Sequence, residues 1–144
     1  MGAGADQIED AMNVRVWGIA AAAAAVACSP GHQGSDRFLM EQGRLYTSWL
    51  YGSEYDKLWG RFSPDMQQTF GSVTDLASFA GRAVGRLGRE RGAVDERVEA
   101  AEPLRIYSRT AMFDKATQRM RIEWSLDRDG EVTGLLLRPD TGGQ

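Results

Sequence analysis

The chain predicts an α+β domain, with helices first and an antiparallel meander after them. Three observations carry this. Between residues 36 and 88, apolar side chains recur at three- and four-residue spacing behind serine and proline caps. From residue 94 to 137 they alternate at period two, in runs broken at Pro103 and at Asp114 to Gln118. Asp127-Arg128-Asp129-Gly130 then closes a hairpin between the last two runs, with Gly130 supplying a positive φ.

Ahead of the domain, Val16 to Ala27 form an apolar run of twelve residues, six of them the alanines from Ala20 to Ala25, and the run ends at Cys28. A bilayer-spanning helix needs about 20 residues. Residues 1–27 therefore read as a signal peptide, removed on export. Residues 1–11 carry Asp6, Glu9 and Asp10 and no basic residue, whereas Met12-Asn13-Val14-Arg15 is short and positive, so Met12 is the expected start. Ala25-Val26-Ala27-Cys28 resembles a lipobox, with Ala25 where the pattern prefers Leu. An ordinary signal peptidase also reads small residues before its cut and would leave Cys28 a free thiol. Lipidation is the preferred expectation. Cys28 is the only cysteine, so it has no internal disulfide partner, and an exposed unpaired thiol is reactive. Acyl chains on Cys28 would hold the protein to the membrane. In a Gram-negative cell the expected place is the periplasmic face of the outer membrane. Residues 28–35 are expected to be a polar tether.

The domain proper is expected over 36–139. Ser35-Asp36 offers an N-cap, and Phe38, Leu45, Tyr46 and Trp49 follow on one helical face that Gln42 interrupts. Gly52 stops that helix. Ser53 to Asp56 has the form of a capping box with Asp in place of Glu, opening a short helix with Tyr55, Leu58, Trp59 and Phe62 inward. Ser63-Pro64 restarts the chain, Ser as cap and Pro at the first helical position, with Met66 and Phe70 inward. Ser72 to Asp75 caps the last helix. Its stripe is Leu76, Phe79, Ala80, Ala83, Val84 and Leu87, with Arg82, Arg86 and Arg89 on the wet side. Gly81, Gly85 and Gly88 fit neither dinucleotide nor Walker spacing. They are expected to reflect close packing or fraying.

Four strands follow. Val94, Glu96, Val98 and Ala100 point one way in the first. In residues 104–113, Ile106, Ser108, Thr110 and Met112 share one face, and Tyr107, Ala111 and Phe113 the other. Met120, Ile122, Trp124 and Leu126 alternate against Arg121, Glu123 and Ser125. Val132 to Leu137 is the closing strand, ended by Pro139, and residues 140–144 are expected to be a frayed tail.

The net charge of the whole chain is −3. Arg15 against Asp6, Glu9 and Asp10 contributes −2 of this, which leaves −1 for the chain after residue 27. Nucleic-acid binding has no electrostatic support at that balance. Among seventeen basic residues only Lys57 and Lys115 are lysines.

Leu58-Trp59-Gly60-Arg61-Phe62-Ser63-Pro64-Asp65-Met66 gives a helix–break–helix, and residues 124–135, Trp124 to Leu135, give the closing hairpin. On these segments, residues 36–139 resemble the nuclear-transport-factor-2-like cone. They are similar to small domains of bacterial exported proteins that stand ahead of serine hydrolase or cell-wall metallopeptidase modules. The resemblance implies helices packed on a curved antiparallel sheet, with a pocket between them. It carries over no catalytic residue.

Related cones with isomerase or dehydratase activity use an Asp base with a Tyr or second acid, or a His–Asp pair. The one histidine, His32, falls in the expected tether, so neither a catalytic His nor a Ser–His–Asp triad is expected in the domain. No metal site and no cofactor is expected, because the carboxylates show no ligand spacing. Tyr107 with Asp65, Asp75 or Glu123 is the possible Tyr–carboxylate pair. Asp65 and Asp75 are already explained as helix first-turn residues, and Glu123 by a solvated sheet face shared with Arg119, Arg121 and Ser125. Trp49, Trp59, Phe62, Phe79, Tyr107 and Trp124 are the candidate pocket, or else plain core. The expected function is a non-catalytic envelope module that binds a small apolar ligand or a partner protein. A small isomerase, dehydratase or hydrolase-accessory enzyme is the alternative, marked by a buried carboxyl of raised pKa near Tyr107 or Trp124. A homodimer through the open sheet face, served by Arg105, Tyr107, Arg109 and Phe113, is a third possibility.

Overall fold

A computed structural model describes residues 32–142, with side chains from Ser35 onward. The expected signal peptide, Met12, Cys28, residues 28–31 of the tether and the last two residues lie outside the described residues. Four helices, α1 (His32–Tyr51), α2 (Tyr55–Trp59), α3 (Pro64–Phe70) and α4 (Val73–Leu87), precede four strands. These are β1 (Glu90–Ala101), β2 (Leu104–Phe113), β3 (Met120–Leu126) and β4 (Val132–Pro139). The strands form one antiparallel sheet in the order β1-β2-β3-β4. The fold class is the α+β class read from the sequence. No helix among the described residues is long and apolar enough to cross a membrane.

Two of the expected caps form. Ser63 accepts from the Met66 N–H with Pro64 at the first helical position, and Ser72 accepts from the Asp75 N–H. The expected capping box at Ser53–Asp56 does not. Glu54 occupies the N-cap position with no side-chain cap hydrogen bond, its carboxylate pairing with Lys57 at 3.1 Å, because Ser53 is spent on the turn itself, at φ 61°.

α1 departs from expectation twice. It begins at His32, so residues 32–35 are helix rather than tether and Ser35-Asp36 is no cap. Its buried face is also different. Leu39, Tyr46, Thr47 and Leu50 are buried, while Phe38 and Leu45 are 41% and 38% exposed. Gly43 lies on the buried face because the chain passes directly over Tyr107: a Cβ at 43 would fall 2.2 Å from the Tyr107 Cγ. A glycine and a threonine add no hydrophobic weight to the core face. Of the apolar stripe read from the sequence, Phe38 and Leu45 thus stand outside, Tyr46 is core and Trp49 packs at the core's margin.

The sheet sets its own register. Tyr107 pairs with Trp124 and Ala111 with Met120, while Trp124 pairs with Leu135 and Ile122 with Leu137. All of these point at the helices, as the period-two alternation requires. β1 is longer than expected. Gly88, at φ 74°, ends α4, and the strand starts at Glu90 with register shifts before Gly92 and Asp95. β2 follows β1 through a cis Glu102–Pro103 peptide. The far edge is tied down by a parallel bridge between Phe62 and Val132.

The face away from the helices is covered by its own long side chains. Arg121 reaches Asp140 at 2.6 Å and Arg138 reaches Glu123 at 3.2 Å, and beneath them Ser108 and Thr110 are each only 3% exposed. The four residues expected to serve a dimer there do not lie on this face. Tyr107 and Phe113 are buried under the helices, Phe113 edge-on to Tyr51. Arg109 is tied to Glu90 and Glu96 beneath the helices, and Arg105 pairs with Glu102 and Asp36.

Candidate binding site

The six candidate pocket residues do not line one cavity. Trp124 and Tyr107 are fully buried and Phe62 is buried, whereas Trp49, Trp59 and Phe79 pack against the core from its margin. Trp124 meets Tyr46 edge-on, and Tyr46 meets Trp49. Trp59, Phe62, Phe70 and Phe79 form a second chain of rings. Buried rings at these separations are core packing. The polar ends of the large side chains are satisfied as well. Trp124 Nε1 donates to Thr47 Oγ1 at 2.9 Å. The Tyr46 hydroxyl donates to the Gly130 carbonyl and accepts from Arg61 Nε at 3.0 Å.

Chemistry-bearing groups collect instead where α1 crosses β1 and β2. Glu96 is the hub. The Tyr107 hydroxyl donates to its Oε1, Arg109 Nη1 reaches the same oxygen at 3.1 Å, and Arg44 holds Oε2 through Nε and Nη2 at 2.9 and 2.6 Å. Arg109 also grips Glu90 with two bonds, of 2.6 and 3.2 Å. Register explains the gathering: Glu96 lies opposite Arg109 and Val98 opposite Tyr107 on neighbouring strands, and Gly43 lets α1 approach closely enough for Arg44 to arrive. None of this had a sequence signal, because the partners stand 11 to 52 residues apart. Glu96 is the carboxylate that sequence reasoning missed. Among the expected partners of Tyr107, Asp65 and Asp75 sit at the starts of α3 and α4, and Glu123 is on the opposite face of the sheet.

The electrostatics run against an acid. Burial pushes the Glu96 carboxyl up, but hydrogen bonds from Arg44 and Tyr107 and the charges of Arg44 and Arg109 outweigh it, and the net direction is down. Burial, then the Glu96 carboxylate, pushes the Tyr107 hydroxyl up. Bonding to Glu90 pushes Arg109 up. The cluster is thus a set of paired charges with no proton poised for transfer near neutral pH.

Beside this cluster, between α1 and β1, lies an open groove of about 510 Å³. Met40 and Val98 give it an apolar floor, and Asp36, Arg37, Glu41, Arg44, Glu96 and Arg97 line it with both signs of charge. Arg44 is shared between the groove and the Glu96 hub. Among the described residues, no group of three or more His, Cys, Asp or Glu could hold a metal ion. No family model, curated protein or solved structure matches the chain.

Proposed function

We propose that this is a non-catalytic envelope lipoprotein. On this reading Cys28 carries the lipid, the domain is a nuclear-transport-factor-2-like cone, and the groove between α1 and β1 binds a partner protein. The observation that carries the binding reading is the contrast between interior and groove. The space under the helices is filled by Tyr46, Tyr107 and Trp124, each fully buried, while the groove is open, mixed in charge and apolar at its floor. A small apolar ligand would need an interior that these rings already occupy. A polypeptide segment suits a shallow groove with paired charges at its rim.

The enzyme alternative has a Tyr–carboxylate pair to rest on, Tyr107 with Glu96. It lacks the raised carboxyl that proton transfer requires, since Glu96 is shifted down. The binding reading is tested by placing a photo-crosslinker at Met40, or at Asp65 as a control, in cells that express the full chain. A discrete adduct from position 40 that is lost on Arg44→Glu is the expected result. Equal labelling at both positions, or none at 40, would overturn it. Metabolic labelling with an acyl chain, with Cys28→Ala as control, tests the anchor separately.

A further inference from the structure

We propose that the outer stripe of α1 rests on the bilayer surface, so that the domain lies against the membrane rather than hanging from it. This rests on the reading of Cys28 as the lipid anchor. The stripe consists of Ser35, Phe38 and Leu45, all exposed, with Gln42 and Trp49 half-buried along its inner margin, none of them charged. Successive residues turn by about 100° in a helix, so Phe38, Gln42, Leu45 and Trp49 fall within about 60° of one another. Phe38 and Leu45 are two of the four large apolar residues that stand exposed among the described residues.

The length of chain before α1 says what covers the stripe. The helix begins at His32, so Ser29, Pro30 and Gly31 are all that separates it from Cys28. Four Cα steps span at most about 14 Å. Phe38 follows about 9 Å along the axis and Leu45 about 20 Å. An acylated Cys28 therefore holds the start of this helix within about 14 Å of the lipid-bearing residue, and the helix carries Phe38 and Leu45 exposed along the face that leads away from that point. Charge does not favour another orientation. The β3–β4 turn beside Phe38 carries Asp127, Arg128, Asp129 and Glu131 next to Arg61, which donates to the Asp129 carbonyl, a net of one negative charge that a zwitterionic lipid surface does not repel. Arg37 and Arg44 lie about 100° round the helix from the stripe. The α1–β1 groove consequently faces away from the bilayer and stays open to a partner.

The test uses the full processed chain, purified from membranes and reconstituted into phosphatidylcholine vesicles. With Cys28 acylated, a cysteine introduced by Leu45→Cys, or by Arg37→Cys as control, is the sole reactive thiol for a nitroxide label. The expected result is flotation with vesicles and a severalfold rise in collision with lipid-dissolved oxygen at position 45. Position 37 should instead stay open to an aqueous nickel chelate. Phe38→Asp should abolish the difference and leave flotation intact. If both labels collide with the nickel chelate while the protein floats, the docking is overturned and the anchor stands. If position 45 is shielded from both agents and shows nitroxide–nitroxide coupling, the stripe seats a second copy, and the docking is again overturned. If the protein does not float, the anchor fails and the docking with it.

Discussion

Gly43 lies flat against the ring of Tyr107, so close that a Cβ at 43 would stand 2.2 to 2.5 Å from three ring atoms. Replacing a mid-helix glycine by alanine ordinarily gains about 1 kcal/mol. At this position the ring is fully buried and cannot withdraw. Gly43→Ala is expected to cost about 3 kcal/mol through overpacking. Gly85, in α4, has no atom within 4 Å of its added Cβ, and Gly85→Ala is expected to gain about 1 kcal/mol. Urea denaturation of the two variants should move the midpoint in opposite directions.

Acid should expose the Glu96 hub. Its carboxyl titrates below the ordinary value of 4.5 in the folded protein. The stabilisation from its ionised form is therefore complete above that value and is lost as pH falls through the lower, folded one. Glu96→Gln should lower stability at neutral pH by about 2 kcal/mol, the worth of a charge-assisted hydrogen bond. It should also flatten the acid limb of a stability profile taken by denaturant melts. An acid limb as steep as that of the parent protein would count against the hub.

Alkali acts through the phenols with the opposite sign. Burial raises the hydroxyls of Tyr46, Tyr51 and Tyr107 above the ordinary 10.0. Groups raised on folding stabilise fully below their unfolded value and lose that contribution as pH climbs past it. Stability should therefore fall as pH rises beyond about 10. Tyr107→Phe should make that fall shallower, read by ellipticity across an alkaline titration.

Tyr46→Phe removes the hydroxyl that joins the Gly130 carbonyl and Arg61 Nε. A loss of about 1–2 kcal/mol is expected, since the Gly130 carbonyl is left without that donor. Faster hydrogen exchange at the Gly130 and Glu131 amides, with β2 unchanged, is the accompanying signature.

The local devices of this fold were readable in the chain. Ser63-Pro64 and Ser72 act as caps, Gly130 turns the hairpin at φ 77°, and Met120, Ile122, Trp124 and Leu126 alternate into the core. Each is decided by neighbours within a few residues. What could not be read depends on distant partners. Phe38 and Leu45 look like core until Gly43 is seen to admit Tyr107, and the aromatic set looks like a pocket until its members stack into one another. Glu96 and Arg109 look like ordinary strand surface until register sets one opposite the other. Gly85 has no close neighbour, so close packing does not account for it.

The bonds of α1 are long in sequence. Arg44 meets Glu96 across 52 positions, Thr47 meets Trp124 across 77, and Tyr46 meets Gly130 across 84. This helix is synthesised before everything that holds it. Closing such separations costs loop entropy before any contact repays it. The core therefore cannot close until the turn that follows β3 has left the ribosome. Until then the bonds from Tyr46 to Gly130 and from Thr47 to Trp124 have no partner to close on, and α1 is held only by what precedes β3.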